Sequence, residues 1–164
     1  MRRSSLAQRR RDAEDFLGIC EVVWKAEGYP MELPALNETV PLERVKAICE
    51  HYGHDELWKK IEADPPPKDF VSDGCTGWVN EYNGISIYPA CFFHDLKYWA
   101  GYPGEEVARL IADAELMIDV ARLLKGTKMA ETMFHGVRIG GTDKVPTPWA
   151  WGFGRRVDEG EAKG

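Results

Sequence analysis

The sequence predicts a mostly helical fold. Three observations carry this: apolar residues recur at helical spacing in successive windows, glycines and prolines punctuate the ends of those windows, and a triple proline at 65–67 divides the chain.

The elements can be taken in chain order. Residues 12–27 read as an amphipathic helix, with Phe16, Ile19, Cys20 and Val23 on one face and Gly28 placed to cap it. Tyr29-Pro30 and Leu33-Pro34 break the chain. A second helix runs over 41–52, with Pro41 suited to a first helical position, Leu42, Val45, Ile48 and Cys49 on one face, and Gly53 ending it. A short third helix carries Leu57, Trp58 and Ile61. Three consecutive prolines are stiff and cannot lie inside a helix, so they are expected to mark the boundary between a basic arm and helical extension over 1–64 and the central region.

The second part opens with a glycine- and asparagine-rich loop over 73–84. Pro89 starts a helix that ends before Gly101, and a longer helix spans about 105–125 with Gly126 closing it. The core unit is expected at 69–126. From Thr127 the chain reads as mixed, an aromatic, Gly- and Pro-rich tail over 127–164.

Composition narrows the function. The chain has 164 residues, 44% hydrophobic and 29% charged, enough to bury a core in one domain with appendages. The net charge of -6 argues against nucleic acid as the main ligand. Five arginines (Arg2, Arg3, Arg9, Arg10 and Arg11) fall in the first eleven residues, leaving 16 basic against 27 acidic residues elsewhere. Such an arm either meets an acidic partner or is a solvated terminus. No apolar run approaches the ~18 residues of a membrane span, and the basic start is followed by Asp12, Glu14 and Asp15 rather than an apolar segment. Neither a signal peptide nor a transmembrane segment is expected. Four cysteines are present: Cys20, Cys49, Cys75 and Cys91. The count allows two disulfides or four thiols. Cys49-x-His51-x-x-His54 is not a standard zinc spacing.

One stretch carries chemistry: Ser72-Asp73-Gly74-Cys75-Thr76-Gly77, then Pro89-Ala90-Cys91-Phe92-Phe93-His94-Asp95-Leu96-Lys97-Tyr98. On a helix Cys91, His94 and Tyr98 share a face, with Asp95 at its edge. A histidine can take a proton from water near neutral pH, and aspartate is a hard oxygen ligand suited to calcium. On the long helix Val107, Leu110, Ile111, Ala114, Met117, Ile118, Ala121 and Leu124 form an apolar stripe. Asp113 lies roughly 80° from its centre and Asp119 roughly 160°. The count therefore expects Asp119 in solvent and Asp113 at the margin of the buried face, where it can orient an imidazole.

This pattern resembles the secreted phospholipase A2 superfamily, above all its small bacterial and fungal members. Residues 73–76 correspond to the calcium loop, 89–98 to the catalytic helix, and 108–117 to the second helix. The resemblance implies a core of two antiparallel helices and hydrolysis of the sn-2 ester of glycerophospholipids at a membrane surface. It implies that His94 activates a water, that Asp113 orients His94, that Tyr98 supports Asp113, and that Ca2+ sits on Asp73, the Gly74 carbonyl and Asp95. A Cys75–Cys91 disulfide is implied too. The sequence departs from the family at Thr76-Gly77-Trp78-Val79-Asn80, where animal-type loops are glycine-rich, and in its segments outside the core. Similar domains occur in virus-encoded proteins, so a non-catalytic module of a larger assembly such as a virion is the alternative, joined to other subunits through the basic arm and the tail. The location is then cytoplasmic or virion.

Trp149-Ala150-Trp151-Gly152-Phe153 followed by Arg155-Arg156 reads either as a membrane-interface patch or as packing against the body. Trp78, Tyr82 and Tyr88 line the substrate entrance or fill core. His135 has no evident partner.

Overall fold

The computed structural model describes residues 31–145 and 147–156. The helix expected over 12–27 lies outside these residues, as does the basic arm. The described chain is mostly helical, with two small antiparallel two-stranded sheets. Its helices are α1 (Leu42–Tyr52), α2 (Asp55–Ala63), α3 (Tyr88–Ala100), α4 (Glu106–Leu124) and α5 (Lys128–Gly140), and a 3-10 turn spans Phe153–Arg155.

Helix ends obey the local chemistry. Gly53 closes α1 in the left-handed region at φ 74°, where a Cβ is costly. Pro41 caps α1 from an extended conformation, one position before the first helical residue expected for it. Pro89 occupies the first turn of α3. Lys125 itself takes the left-handed cap of α4, one residue before the glycine expected to do so.

Strand β1 (Thr39–Val40) pairs with β2 (Phe70–Val71), Val40 opposite Phe70, and so ties the segment before α1 to the segment before the Gly74 loop. Strands β3 (Glu81–Tyr82) and β4 (Ile85–Ser86) form a hairpin. Its turn residues Asn83 and Gly84 both have positive φ, the signature of a type I′ turn. The glycine- and asparagine-rich loop thus ends in a hairpin.

Helix α3 is the centre of the fold. Nine of its residues are buried, so it has partners on every side rather than a single apolar stripe. Phe92, Phe93, Leu96 and Trp99 pack with Val45, Ile48 and Cys49 of α1, Ile61 of α2 and Phe70 of β2. Cys91 joins Leu116 and Val120 of α4 and Ala130 and Met133 of α5 in a second cluster. Along α3 and α4 the pairings run in opposite senses: Cys91 with Leu116 and Val120, His94 with Asp113, Tyr98 with Arg109.

Two expectations are corrected. The buried face of α4 is Arg109, Ala112, Asp113, Leu116 and Val120, not the stripe through Val107, Leu110 and Ile111. Val107 is 72% exposed and Ile111 53%. Asp113 is fully buried rather than marginal, and Asp119 is half-buried rather than solvated. The physical reason is charge pairing: Arg109 and Asp113 can turn inward because each finds partners there. In addition, the stretch after Thr127 forms α5, which packs along α4. Its inward residues Ala130, Met133 and Val137 recur at i, i+3 and i+7.

The segment after α5 returns across the end of α3. Trp151 is buried, stacks edge-on against Tyr98 at 5.1 Å and donates its indole N–H to the Tyr102 carbonyl. The Gly152 N–H donates to the Tyr98 carbonyl, and Arg155 donates to the Ala100 carbonyl and to Asp64.

Candidate active site

The site is built from the loop at 72–80, the middle of α3, the first half of α4 and the end of α5. Cys75 and Cys91 form a disulfide across a sequence separation of 16, which fastens the loop to the first turn of α3. Within the loop Gly74 adopts φ 80°, and a Cβ there would collide with the Asn80 side chain and Leu36, so backbone and space both demand glycine. The Asn80 amide oxygen accepts from the Cys75 N–H at 2.8 Å and holds the loop in a turn.

One turn further along α3, His94 is buried, with its Nε2 2.8 Å from Asp113 Oδ1. The Tyr98 hydroxyl donates to the same oxygen at 2.7 Å. Arg138 of α5 donates from Nη1 to Asp113 Oδ2 at 2.8 Å, and Arg109 lies beyond it at 3.8 Å. Because Asp113 is a carboxylate that only accepts, Nε2 carries the proton and Nδ1 keeps its lone pair.

The electrostatics support that tautomer. Burial would raise the Asp113 pKa, but hydrogen bonds from His94, Tyr98 and Arg138 outweigh it and hold the group below the usual carboxylate range. Burial lowers the His94 pKa, with Asp113 opposing only in part, so the imidazole is a neutral base at pH 7. Burial and the neighbouring Asp113 raise the Tyr98 phenol, which stays a donor.

Next to His94, Asp95 accepts the Ser72 hydroxyl at 2.6 Å. Burial raises its pKa well above normal, and the negative Asp73 nearby adds to this while the Ser72 bond opposes it. Asp73 accepts the Thr76 hydroxyl, and the Gly74 carbonyl accepts the Thr76 N–H at 3.0 Å. Asp73 is near enough for its charge to act on Asp95, but it is exposed and does not line the cavity that Asp95 lines. Carboxylate and main-chain oxygens are the donor type that calcium takes. Among the described residues no three His, Cys, Asp or Glu side chains gather as metal ligands, so an ion here would lean on main-chain oxygens and water.

His94 and Asp95 line a cavity of about 250 Å³ together with the Gly74–Trp78 loop and, on α5, Met133 and Val137. Trp149 closes another side. Trp78 and Trp149 are 38% and 41% exposed at its rim. Trp151, which the sequence groups with them as a membrane or substrate contact, lies in the core behind Tyr98 instead. Tyr82 is exposed on β3, and Tyr88 donates to the Pro34 carbonyl. Neither lines the cavity.

Sequence reading missed Arg109 and Arg138, and it named Ser72 and Asn80 without giving either a role. Arg109 stands four residues before Asp113, a helical ion-pair spacing visible in the sequence. Arg138 is 25 residues away on an unforeseen helix and had no signal.

No family model, curated protein or solved structure matches this chain. Among the described residues no helix is long and apolar enough to cross a membrane.

Proposed function

We propose that the chain is a phospholipase A2-like hydrolase that cleaves the sn-2 ester of glycerophospholipids at a membrane surface. One observation carries the reading: His94 and Tyr98 share a single oxygen of the buried Asp113, and His94 faces a cavity beside a disulfide-fastened glycine loop. The opposed pairings along α3 and α4 agree with an antiparallel two-helix core.

In this reading Nδ1 of His94 takes a proton from a water in the cavity, and the water oxygen bonds to the ester carbonyl carbon. Asp113 stabilises the imidazolium without accepting its proton. As the carbonyl re-forms, the bond to the glycerol oxygen breaks and His94 returns the proton to that oxygen. Calcium bound by Asp73, Asp95 and the Gly74 carbonyl would supply positive charge for the substrate phosphate and the oxyanion. In the same reading the apolar cavity wall takes the acyl chain and the exposed indoles of Trp78 and Trp149, which line that cavity, meet the lipid headgroups.

The test is fatty-acid release from mixed phospholipid micelles, with calcium and with chelator, for wild type and His94→Ala. Calcium-dependent release that disappears in the variant establishes the hydrolase. No release from folded wild type in either buffer sinks it.

One observation favours a second reading, a non-catalytic module of a larger assembly: Val107, Leu110 and Ile111 present an uncovered apolar face on α4 among the described residues. Calcium separates the two. A working site gains thermal stability from the ion, about 2.7 kcal/mol at a hundred times its Kd, whereas a scaffold gains none.

A further inference from the structure

We propose that Arg138 is a positioning residue for the His94–Asp113 pair, an inference that rests on the hydrolytic reading above. The two oxygens of Asp113 have separate duties. Oδ1 accepts both His94 and Tyr98, and Oδ2 accepts Arg138 Nη1 at 2.8 Å. An aspartate carboxylate rotates easily about its last torsion, which is broad and roughly two-fold. A donor fixed on Oδ2 stops that rotation. The direction of the Nε2 hydrogen bond is then set, and with it the aim of Nδ1 on the far side of the ring.

Arg138 is held in turn. Its Nη2 lies 3.5 Å from Glu106 Oε2, and its carbonyl accepts from Arg109 Nη1 at 3.3 Å. Arg109, buried beneath, donates to Glu106 at 3.0 Å and 3.2 Å. Two arginines and two carboxylates therefore balance before His94 takes any proton. The same lattice joins α5 to α4, and the neighbours of Arg138 on α5, Val137 and Gly140, are cavity wall. Arg138 itself does not line the cavity, so it acts through Asp113 rather than on substrate.

The test uses the full chain with Arg138→Gln, Arg138→Lys, Asp113→Asn and the double variant D113N/R138Q. In the micelle assay R138Q lowers kcat roughly 10- to 100-fold and leaves KM within about twofold, as misaiming a base does. R138K, which keeps a charged donor, restores most of kcat. The low-field proton resonance of His94 Nε2–H is sharp in wild type and R138K and broadened in R138Q. R138Q that folds and keeps both its kcat and its resonance overturns the proposal. The double variant leaves no buried charge unpaired, so it reports even if R138Q alone does not fold. Arginine loss on top of D113N should cost nothing further, and an additional loss there overturns the proposal. If wild type releases no fatty acid, the hydrolytic reading fails by itself, while the resonance still decides the role of Arg138.

Discussion

Tyr98 and Gly141 are in contact with no space between them: a Cβ on Gly141 would lie 2.5 Å from the Tyr98 hydroxyl oxygen and 2.7 Å from Cε1. Gly141 has an ordinary φ of -92°, so glycine is required there for room and not for backbone freedom. Gly141→Ala must push the Tyr98 ring off Asp113. We expect a loss of about 1–3 kcal/mol in urea unfolding, together with reduced turnover in the micelle assay. Unchanged stability would mean that Tyr98 is not fixed by this contact.

His54 makes stability depend on pH. It stacks on Phe93 at 4.4 Å, and its pKa is lowered to about 4, first by burial and then by the positive Lys97. The unfolded chain protonates His54 near 6.5 while the folded chain resists until about 4. In that window the unfolded state holds more protons, so stability is full above pH 6.5 and is lost as pH falls towards 4. Thermal melts across that window, begun at neutral pH, should show the decline. His54→Gln should flatten it, and an identical slope in the variant would clear His54 of the effect.

The Cys75–Cys91 bridge restrains the loop that carries Gly74. For a closure of this length the chain-entropy account gives about 3 kcal/mol of stabilisation. Replacing both cysteines with alanine should lower the unfolding free energy by about that much and raise hydrogen exchange at the Cys75 amide. A double variant as stable as wild type would show that the loop is held by Asn80 and Ser72 alone.

The two faces of α4 should respond differently to substitution. Leu116→Ala opens the second core cluster and should cost about 2–5 kcal/mol. Val107→Ser and Ile111→Ser alter exposed positions and should stay within about 0.5 kcal/mol. Comparable losses on both faces would mean that α4 is turned the other way.

The legible parts of the fold share a cause. Gly53 and Pro89 punctuate helices through local sterics, and the helix ends they mark are read from the sequence to within a residue. Gly101 also ends its helix as expected, but the room it leaves is taken by the Trp151 ring. That His94 and Tyr98 share a face was readable from helical spacing, whereas Asp113, on another helix, was expected beside them only through the resemblance and its place at the edge of an apolar stripe. The orientation of α4 was not, because counting apolar residues assumes that charges stay outside. Arg109 and Asp113 break that assumption by satisfying each other and their neighbours. Helix α5 was obscured by Gly136 and Gly140, which lower helix propensity. Trp151 looked like an interface residue because tryptophan suits both a membrane rim and a core.

The return of the chain across α3 also sets the order in which the molecule can be completed during synthesis. His94, Tyr98 and Asp113 leave the ribosome well before Arg138, and Trp151, Gly152 and Arg155 leave later still. Until that last stretch is free, the Tyr98 carbonyl lacks the Gly152 amide and its ring lacks the cover of Trp151. The nascent chain therefore holds His94 in an unfinished frame, and the packing around Tyr98 is complete only when the turn at Phe153–Arg155 closes over the end of α3.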